Sequence, residues 1–423
     1  MYKKLLLTTL FGAFALADAP VLLPLKDRTF DQSKFMPDMS LILDTTYTHH
    51  SLESAELGHL ELPGLVHGIL ASHDHGGQTE SAYNAAQGFN LNYAEMVLSS
   101  SVDPYFTLDS VLHFSQSGVE IEEAYITTTS LPLNLRLRAG KMLSNFGRIN
   151  SQHHHYWDFG DMPLVHQAFL GNHGLNEKGI QLHYNAPTPF YLMAGVEVMQ
   201  GENESMFGNE GLGDEANPVY DAVNAPSLYI AYLKSSVDIG TTTLLGGFSY
   251  AQGSSRIDHS EDETPYAISG DASLVGVDLT VKHYFDSYSY LAWQSEWLSR
   301  NIDGTQYTLD ENTTVTGSGV LDQKQSGFYT QLVYAADQNW RYGLRWDKIY
   351  QNSVIVGGLD ENHPNNLNRY TMMMEYHPSE FSRIRLQYNY TDALEDDTGA
   401  AVDLHTVSLQ MNFAIGAHSA HSF

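Results

Sequence analysis

The stretch that decides the fold is TVSLQMNFAIGA, residues 406–417, near the end of the 423-residue chain. Apolar side chains occupy every second position, namely Val407, Leu409, Met411, Phe413, Ile415 and Ala417. The positions between them are polar or small: Thr406, Ser408, Gln410, Asn412, Ala414 and Gly416. Because successive side chains of a β-strand point to opposite faces, this alternation predicts a strand with one apolar and one polar face.

Such a strand is typical of a transmembrane β-barrel, in which the apolar face meets lipid and the polar face lines a wet lumen. The same alternation recurs in residues 133–140, 291–298, 340–347 and 383–390. Counting similar segments predicts about 16 strands, in a range of roughly 14–18. We therefore expect an all-β fold, a single antiparallel barrel without a plug domain, in the outer membrane of a Gram-negative bacterium. Its final strand, ending at Phe423, is expected to engage the barrel-assembly machinery.

The N-terminus agrees with export. Two lysines precede an apolar run at residues 5–16, and an Ala-x-Ala cleavage pattern ends at Ala17. Residues 1–17 are therefore predicted to be a secretory signal peptide, and residues 18–423 the barrel with long His-rich and acidic loops. Residues 18–36 precede the first convincing strand and are too few for the plug of a roughly 22-stranded receptor.

The amino-acid composition limits the kinds of partner and of metal site that the protein can have. The chain has no cysteine, which excludes a disulfide scaffold and a thiolate metal site. Its 26 Tyr and 18 Phe suit the aromatic girdles of a barrel in outer-membrane lipid. A formal charge of −29 argues against nucleic acid as a partner. Such a charge concentrates cations near the protein surface; alternatively, it only keeps the exposed loops soluble. Small ions or metal chelates fit such a barrel, and a homotrimer is compatible with its size.

The connections between strands differ in length. Two short ones, residues 185–189 and 286–288, are predicted to be periplasmic turns. The long ones are predicted to be extracellular or lumen-folded loops, at roughly 52–87, 146–176, 201–226 and 254–265, and residues 392–398 are predicted to be a shorter acidic loop.

A first histidine cluster lies at the end of the first strand and in the loop that follows. Together with one carboxylate its members are His49, His50, His59, His67, His73, Asp74 and His75. Imidazole and carboxylate suit zinc, nickel or copper, and without thiolates the ion stays exchangeable, which suits capture. A solvated loop without function and a pH-sensing loop remain the alternatives.

A second cluster lies in the next long loop, at His153, His154, His155 and Asp158. Its aromatic neighbours, such as Trp157, predict a packed loop folded into the pore. Consecutive histidines of an extended chain cannot all face one ion, so a metal site here requires a turn.

Charged residues alternate along several predicted strands and are expected to line the lumen. They are Arg136, Arg138, Glu296, Arg341, Arg345, Asp347, Arg383 and Arg385, with Glu120 and Glu122 or Glu123 as further acids. Opposed charges across a pore tune ion selectivity, although such pairs also simply satisfy one another along the wall. Neither a G-x-S-x-G elbow nor an H-E-x-x-H motif is present, so we do not expect an enzyme.

Two sets of segments carry a family resemblance. EEAYI at 122–126, LRAGK at 137–141 and FG at 146–147 resemble the motif of the phosphate-selective porin O/P-like superfamily. More specific segments are similar to a family of bacterial outer-membrane proteins described as zinc-regulated receptors or porins: SNFGRINSQHHHYWDF at 144–159, AFLGN at 168–172, PSEFSR at 378–383 and GAHSAH at 416–421. The resemblance implies zinc-linked expression and passage of metal. The receptor label of that family invokes TonB coupling, which a chain without a plug does not support.

These observations predict a passive channel for a divalent transition-metal ion, with zinc as the first candidate. The ion would pass either free or as a small chelate. The histidine-rich loops would concentrate the ion, no cofactor would be required, and Zn²⁺ would bind only transiently. The alternatives are a general or anion-selective porin, which the lumen arginines favour, and a surface or metal-sequestering barrel whose lumen is closed by loops.

Overall fold

A computed structural model describes residues 37–66, 68–70, 72–75, 78–81, 83–115, 118–213, 217–260, 264–396 and 398–416. The predicted signal peptide, residues 18–36, His67 and the terminal Phe423 lie outside the described residues. Side chains are not described for residues 72–75 and 78–81.

Sixteen antiparallel strands form one closed barrel, as the sequence predicts. In chain order they are β1 Asp38–His50, β2 Gly88–Asp103, β3 Phe106–Phe114, β4 Val119–Thr128, β5 Leu135–Leu143, β6 Asn176–Asn185, β7 Tyr191–Met199, β8 Leu228–Ile239, β9 Thr242–His259, β10 Tyr266–Tyr284, β11 Tyr290–Leu309, β12 Val315–Ala335, β13 Trp340–Val356, β14 Leu367–Ser379, β15 Ser382–Glu395 and β16 Ala401–Gly416.

Each strand pairs with its neighbours in sequence, and β1 closes the ring. Along one edge β1 pairs with β16, where Asp44 lies opposite Asn412. Along its other edge it pairs with β2, where Ile42 lies opposite Glu95. Closure leaves no unpaired strand edge, which a sheet in lipid requires.

The two faces of β16 have the predicted environments. Val407, Leu409, Phe413 and Ile415 are exposed on the outside, and the alternating polar residues 406–412 are buried inside. Exposed aliphatic and aromatic side chains recur around the outside of the other strands, for example Leu344 and Tyr370. This apolar outer face is what lipid contact demands.

Short elements complete the described chain. Two α-helices, Ser54–Leu57 and Leu164–Leu170, and two 3₁₀ turns, Pro132–Asn134 and His154–Tyr156, lie in the connections. Small strands lie there too: Ser72–His75 with Gln78–Ser81, Leu212–Gly213 with Pro218–Tyr220, and Leu359–Asp360 beside β13. Within the described part, no helix combines the length and apolarity needed to span a membrane.

Three long connections are named here by position: L1 (51–87), L3 (144–175) and L4 (200–227). The predicted loop at 254–265 is wrong in its first half, because β9 continues to His259. Its polar residues keep pairing with β10, with Ser254 opposite Asp271 and Asp258 opposite Ala267. A polar sequence does not end a strand when a neighbouring strand still offers hydrogen-bond partners.

L3 folds into the barrel and meets L1 and L4 there. One buried apolar cluster joins side chains of all three connections to inward residues of the wall. Its fully buried members include Phe146, Leu164, Phe169 from L3, Leu60 from L1 and Phe207 from L4. The barrel interior therefore contains a packed apolar core in addition to its polar wall.

A candidate metal site between an inward loop and the barrel wall

Carboxylates of the wall hold the backbone of L3. Each accepts a hydrogen bond from a backbone N–H group of the loop: Glu197 from Asn145 at 2.9 Å, Glu296 from Arg148 at 2.9 Å, and Asp347 from Leu164 at 2.9 Å. Hydrogen bonds to a carboxylate are stronger than those between neutral groups. Two of the predicted lumen acids, Glu296 and Asp347, thus fix the loop in place.

Arginines of the wall hold the same loop through Asp161. Arg345 Nη2 lies 2.9 Å and Arg369 Nη1 lies 3.2 Å from Asp161 Oδ2. Burial opposes a charge on Asp161, but the two guanidinium groups outweigh it and lower the pKa of this carboxyl. Arg385 donates to the backbone oxygen of Trp157 at 2.9 Å and pairs with Glu375.

Elsewhere on the wall, three neighbouring strands bring titratable groups together. Glu95 of β2 and His113 of β3 are direct cross-strand partners. Glu122 comes from β4, and one ligand atom of each of the three residues lies within 4.8 Å of the others. His113 Nε2 is 2.9 Å from Glu122 Oε2 and 3.3 Å from Glu95 Oε2.

A β-bulge explains why Glu122 joins this group. Val111 pairs with Glu123 and Leu112 pairs with Ile121, so Glu122 is an extra residue in β4. A bulge rotates the local side-chain alternation, and here Glu122 and Glu123 both contact His153 inside the barrel.

L3 supplies two further imidazoles, from His153 and His155. His153 Nδ1 lies 3.2 Å from Glu122 Oε2, and His155 Nδ1 lies 3.4 Å from Glu95 Oε2. These two rings stack with centroids 5.7 Å apart beside the 3₁₀ turn. The turn that a metal site here requires is therefore present. We call Glu95, His113, Glu122, His153 and His155 the seam cluster, because they join L3 to the wall.

His154 points away from the seam cluster. Its ring stacks on Tyr83 at 4.0 Å, and its Nε2 lies 3.2 Å from the backbone oxygen of Gly160. Burial lowers the pKa of His154 to about 4, so the ring is neutral at physiological pH. Asp158 accepts a hydrogen bond from Gln331 at 3.0 Å, and burial raises its pKa.

One acceptor of the seam cluster is left unsatisfied. His113 Nε2 lies between two carboxylates, and Oε1 of Glu95 has no hydrogen-bond partner among the described residues. Burial opposes a charge on His153, but Glu122 and Glu123 outweigh it and raise the pKa of His153 well above its ordinary value. Carboxylates and imidazoles in this arrangement match the donor set of zinc and related divalent ions.

The structure does not bring the first histidine cluster together. His49 and His50 lie on opposite faces of β1: His49 contacts Gln87 outside, and His50 contacts Thr406 inside. His59 is exposed, and only the backbone of residues 73–75 is described, as part of a hairpin. Their role in metal capture stays a prediction.

The predicted lumen arginines all lie at inward positions. Arg136, Arg341 and Arg383 are each the second residue of their strand, close to the periplasmic end, and Arg138 follows Arg136 two residues later.

Sequence reasoning missed Glu95 and His113. The available signal was a carboxylate and an imidazole at the inward positions of otherwise apolar strand segments.

No family model matches the sequence. A protein of Aquifex aeolicus (strain VF5), described as uncharacterized, is 44% identical over 395 residues, which cover 93% of this chain and 81% of that protein.

Solved structures resemble the barrel at low identity. The anion-selective porin from Comamonas acidovorans has a TM-score of 0.52 and 10% identity, with 90% of this chain and 99% of that chain covered. The outer membrane channel DcaP of Acinetobacter baumannii has a TM-score of 0.50 and 11% identity, with 90% and 98% covered. These likenesses establish a porin-type fold. With its lipid-facing apolar exterior, the protein is located in the outer membrane of a Gram-negative bacterium.

Proposed function

The chain belongs to the family of the Aquifex aeolicus protein, and we propose that it is a porin-like channel that admits divalent transition-metal ions, zinc first. The seam cluster is the observation that carries this proposal. It places three imidazoles and two carboxylates inside the barrel, between L3 and the wall, with His113, Glu122 and His153 partly exposed. The zinc link implied by the family resemblance agrees with this donor set. The homotrimer stays a prediction.

We infer that the route past L3 follows its polar edge. The apolar side chains of the helix Leu164–Leu170 are fully buried in the core, and His166 of the same helix pairs with Glu296. Beside the seam cluster, a cavity of about 20 Å³ is lined by Glu122, His154 and His173 among others. That volume accommodates about one water molecule beside Glu122.

Bound metal must remain exchangeable. Three imidazoles and two carboxylates without a thiolate release zinc more readily than a structural thiolate site does. Metal also competes with protons, since imidazole must be neutral to bind an ion. Binding at the seam cluster therefore weakens on acidification.

A second candidate is a general or anion-selective porin. The inward arginines near the periplasmic ends of β5, β13 and β15 favour it. The third, a closed surface barrel, draws on the packed core that L1, L3 and L4 form inside.

Single-channel recording of the refolded protein under a salt gradient tests the proposal. We expect a current that zinc modulates, and loss of that response in a His113→Gln/His153→Gln variant. Zinc affinity measured by calorimetry should fall at least about tenfold in the same variant, since even outer-shell changes have that effect.

His363→Gln is the matched control, because His363 is a histidine of the connection between β13 and β14 that pairs with Glu361 far from the seam cluster in sequence. An open current indifferent to zinc in every variant would replace the proposal with the general porin. No current under any condition would select the closed surface barrel.

A further inference from the structure

Basic side chains gather on the periplasmic side of L3. They project inward from alternate parts of the wall and from the loop itself: Arg136, Arg138, Arg148, Lys234, Lys282, Arg341 and Arg383. Lys282 lies close enough to Arg341 and Arg148 for mutual repulsion, and Arg148 also repels Lys234. We call these seven residues the basic vestibule.

Most acidic groups at this level are already engaged. Glu197 and Glu296 accept hydrogen bonds from L3, and Glu375 pairs with Arg385 at 2.7 Å. Asp278 has one carboxylate oxygen without a hydrogen-bond partner among the described residues, but this residue is buried. The side chain of Glu375 is 2% exposed, whereas that of Arg341, another of its partners, is 31% exposed. A solute in the vestibule therefore meets accessible positive charge and little accessible negative charge.

Some of the cations also have unused donors. The Nε atom of Arg148 and the Nε and Nη2 atoms of Arg383 are buried without a hydrogen-bond partner among the described residues. Arg383 Nε lies 3.6 Å from Glu375 Oε2, which is beyond hydrogen-bond length. A buried donor without an acceptor is costly, and a carboxylate of a ligand would remove that cost.

The vestibule adjoins the seam cluster. Arg383 acts electrostatically on Tyr93, and the ring of Tyr93 stacks on His113 at 5.0 Å. A bare dication released from the cluster would have to pass this basic zone and would be repelled. A complex of the same ion with a small polycarboxylate carries net negative charge and would be attracted.

We propose that the cargo is a divalent transition metal carried as an anionic complex with a small polycarboxylate, and that the seam cluster contacts the metal while the basic vestibule contacts the carboxylates. This inference rests on the proposed metal channel and specifies its substrate. A single anionic metal complex as cargo explains both the metal-type donor set of the seam cluster and the inward cations of the basic vestibule, which otherwise favour an anion porin.

Flux into proteoliposomes tests it, with the full chain reconstituted and a zinc indicator trapped inside. Zinc is added as zinc chloride or as zinc citrate at equal total zinc. We expect zinc citrate to enter roughly tenfold faster or more, the range by which charged clefts change encounter rates. Arg341→Gln/Arg383→Gln should reduce the citrate-dependent flux to the level of zinc chloride.

Two controls separate charge from folding. The variant Arg341→Lys/Arg383→Lys keeps the positive charge and should keep most of the zinc citrate flux. The variant Lys324→Gln removes an exposed cation on β12 and should leave the flux unchanged. Equal or faster entry of zinc chloride overturns the inference and leaves the metal channel standing. Entry of neither form, with zinc still bound at the seam cluster, refutes the metal channel itself. The inference is also overturned if metal-free citrate enters as fast as zinc citrate and its entry is unaffected by His113→Gln/His153→Gln. That result would favour an anion porin.

Discussion

L3 is attached to the barrel in two different ways. Around the helix Leu164–Leu170 the contact is mainly apolar, with one buried pair in which His166 Nε2 lies 3.2 Å from Glu296 Oε2, and backbone N–H groups of the loop donate to Glu296 and Asp347. At the seam cluster the contact consists of imidazoles against carboxylates. Apolar packing changes little with pH or ions, whereas the imidazole–carboxylate contact depends on protons and on any cation that replaces them. The fixed end thus sets where the loop lies, and the titratable end sets how it responds.

The largest effect is expected from breaking the fixed end. Phe169→Ala removes a fully buried ring that also lies under the guanidinium of Arg300 at 4.8 Å. Truncating such a ring costs about 3–5 kcal/mol of packing free energy. Hydrogen exchange across residues 164–170 should accelerate accordingly. Leu359→Ala, at an exposed position, is the control and should leave that exchange unchanged.

A smaller effect is expected at the polar anchor. Glu296→Ala leaves the backbone N–H group of Arg148, which donates to Glu296 at 2.9 Å, without its acceptor inside the barrel. Each unsatisfied buried donor costs roughly 1–3 kcal/mol. Limited proteolysis within residues 146–152 should increase, and Glu296→Gln should restore most of the protection because its amide oxygen still accepts. Unchanged cleavage in Glu296→Ala would mean that the packed helix alone holds L3.

The two histidines beside each other in the turn should respond to pH in opposite directions. The pKa of His153 is raised, so its contribution to the seam is complete below about pH 6.5 and is lost as pH rises through the raised value. The pKa of His154 is lowered to about 4, so its contribution is present above about pH 6.5 and is lost as pH falls through 4. An NMR titration of the two imidazoles checks both signs. A His153 ring that loses its proton near pH 6.5 would contradict the carboxylate contacts.

The smallest effect is expected outside the seam. A His49→Gln/His59→Gln variant changes two exposed histidines of β1 and L1. Zinc affinity and the zinc response of the current should change less than twofold or so, the scale of weak exposed interactions. A response lost here and retained in His113→Gln/His153→Gln would move metal capture to L1.

Periodicity decided the fold because it is a local property. The alternation in residues 406–417 and its repeats specify a barrel wall, since each strand needs only one apolar and one polar face. The same reasoning placed Arg341, Arg345 and Asp347 on the inward face. It failed at residues 254–259, where pairing with β10 overrides the polar composition.

The seam cluster could be predicted only in part. HHH at 153–155 indicated metal-type chemistry, which stays a prediction, and the turn that such a site would need is present at residues 154–156. The 3₁₀ turn determines which two of the three imidazole rings face the wall together. The bulge at Glu122 and the pairing of Glu95 with His113 determine which carboxylates those rings contact.

By itself, the sequence determined the barrel, its lipid and lumen faces and its charged interior, because these follow from residue type and a period of two. The aromatic residues near Trp157 also predicted a loop folded into the pore, but only the tertiary structure decided which wall residues L3 contacts, with mainly apolar packing at one edge and titratable groups at the other. Those outcomes depend on contacts between residues far apart in the chain, such as Leu164 with Asp347, and no local pattern encodes them.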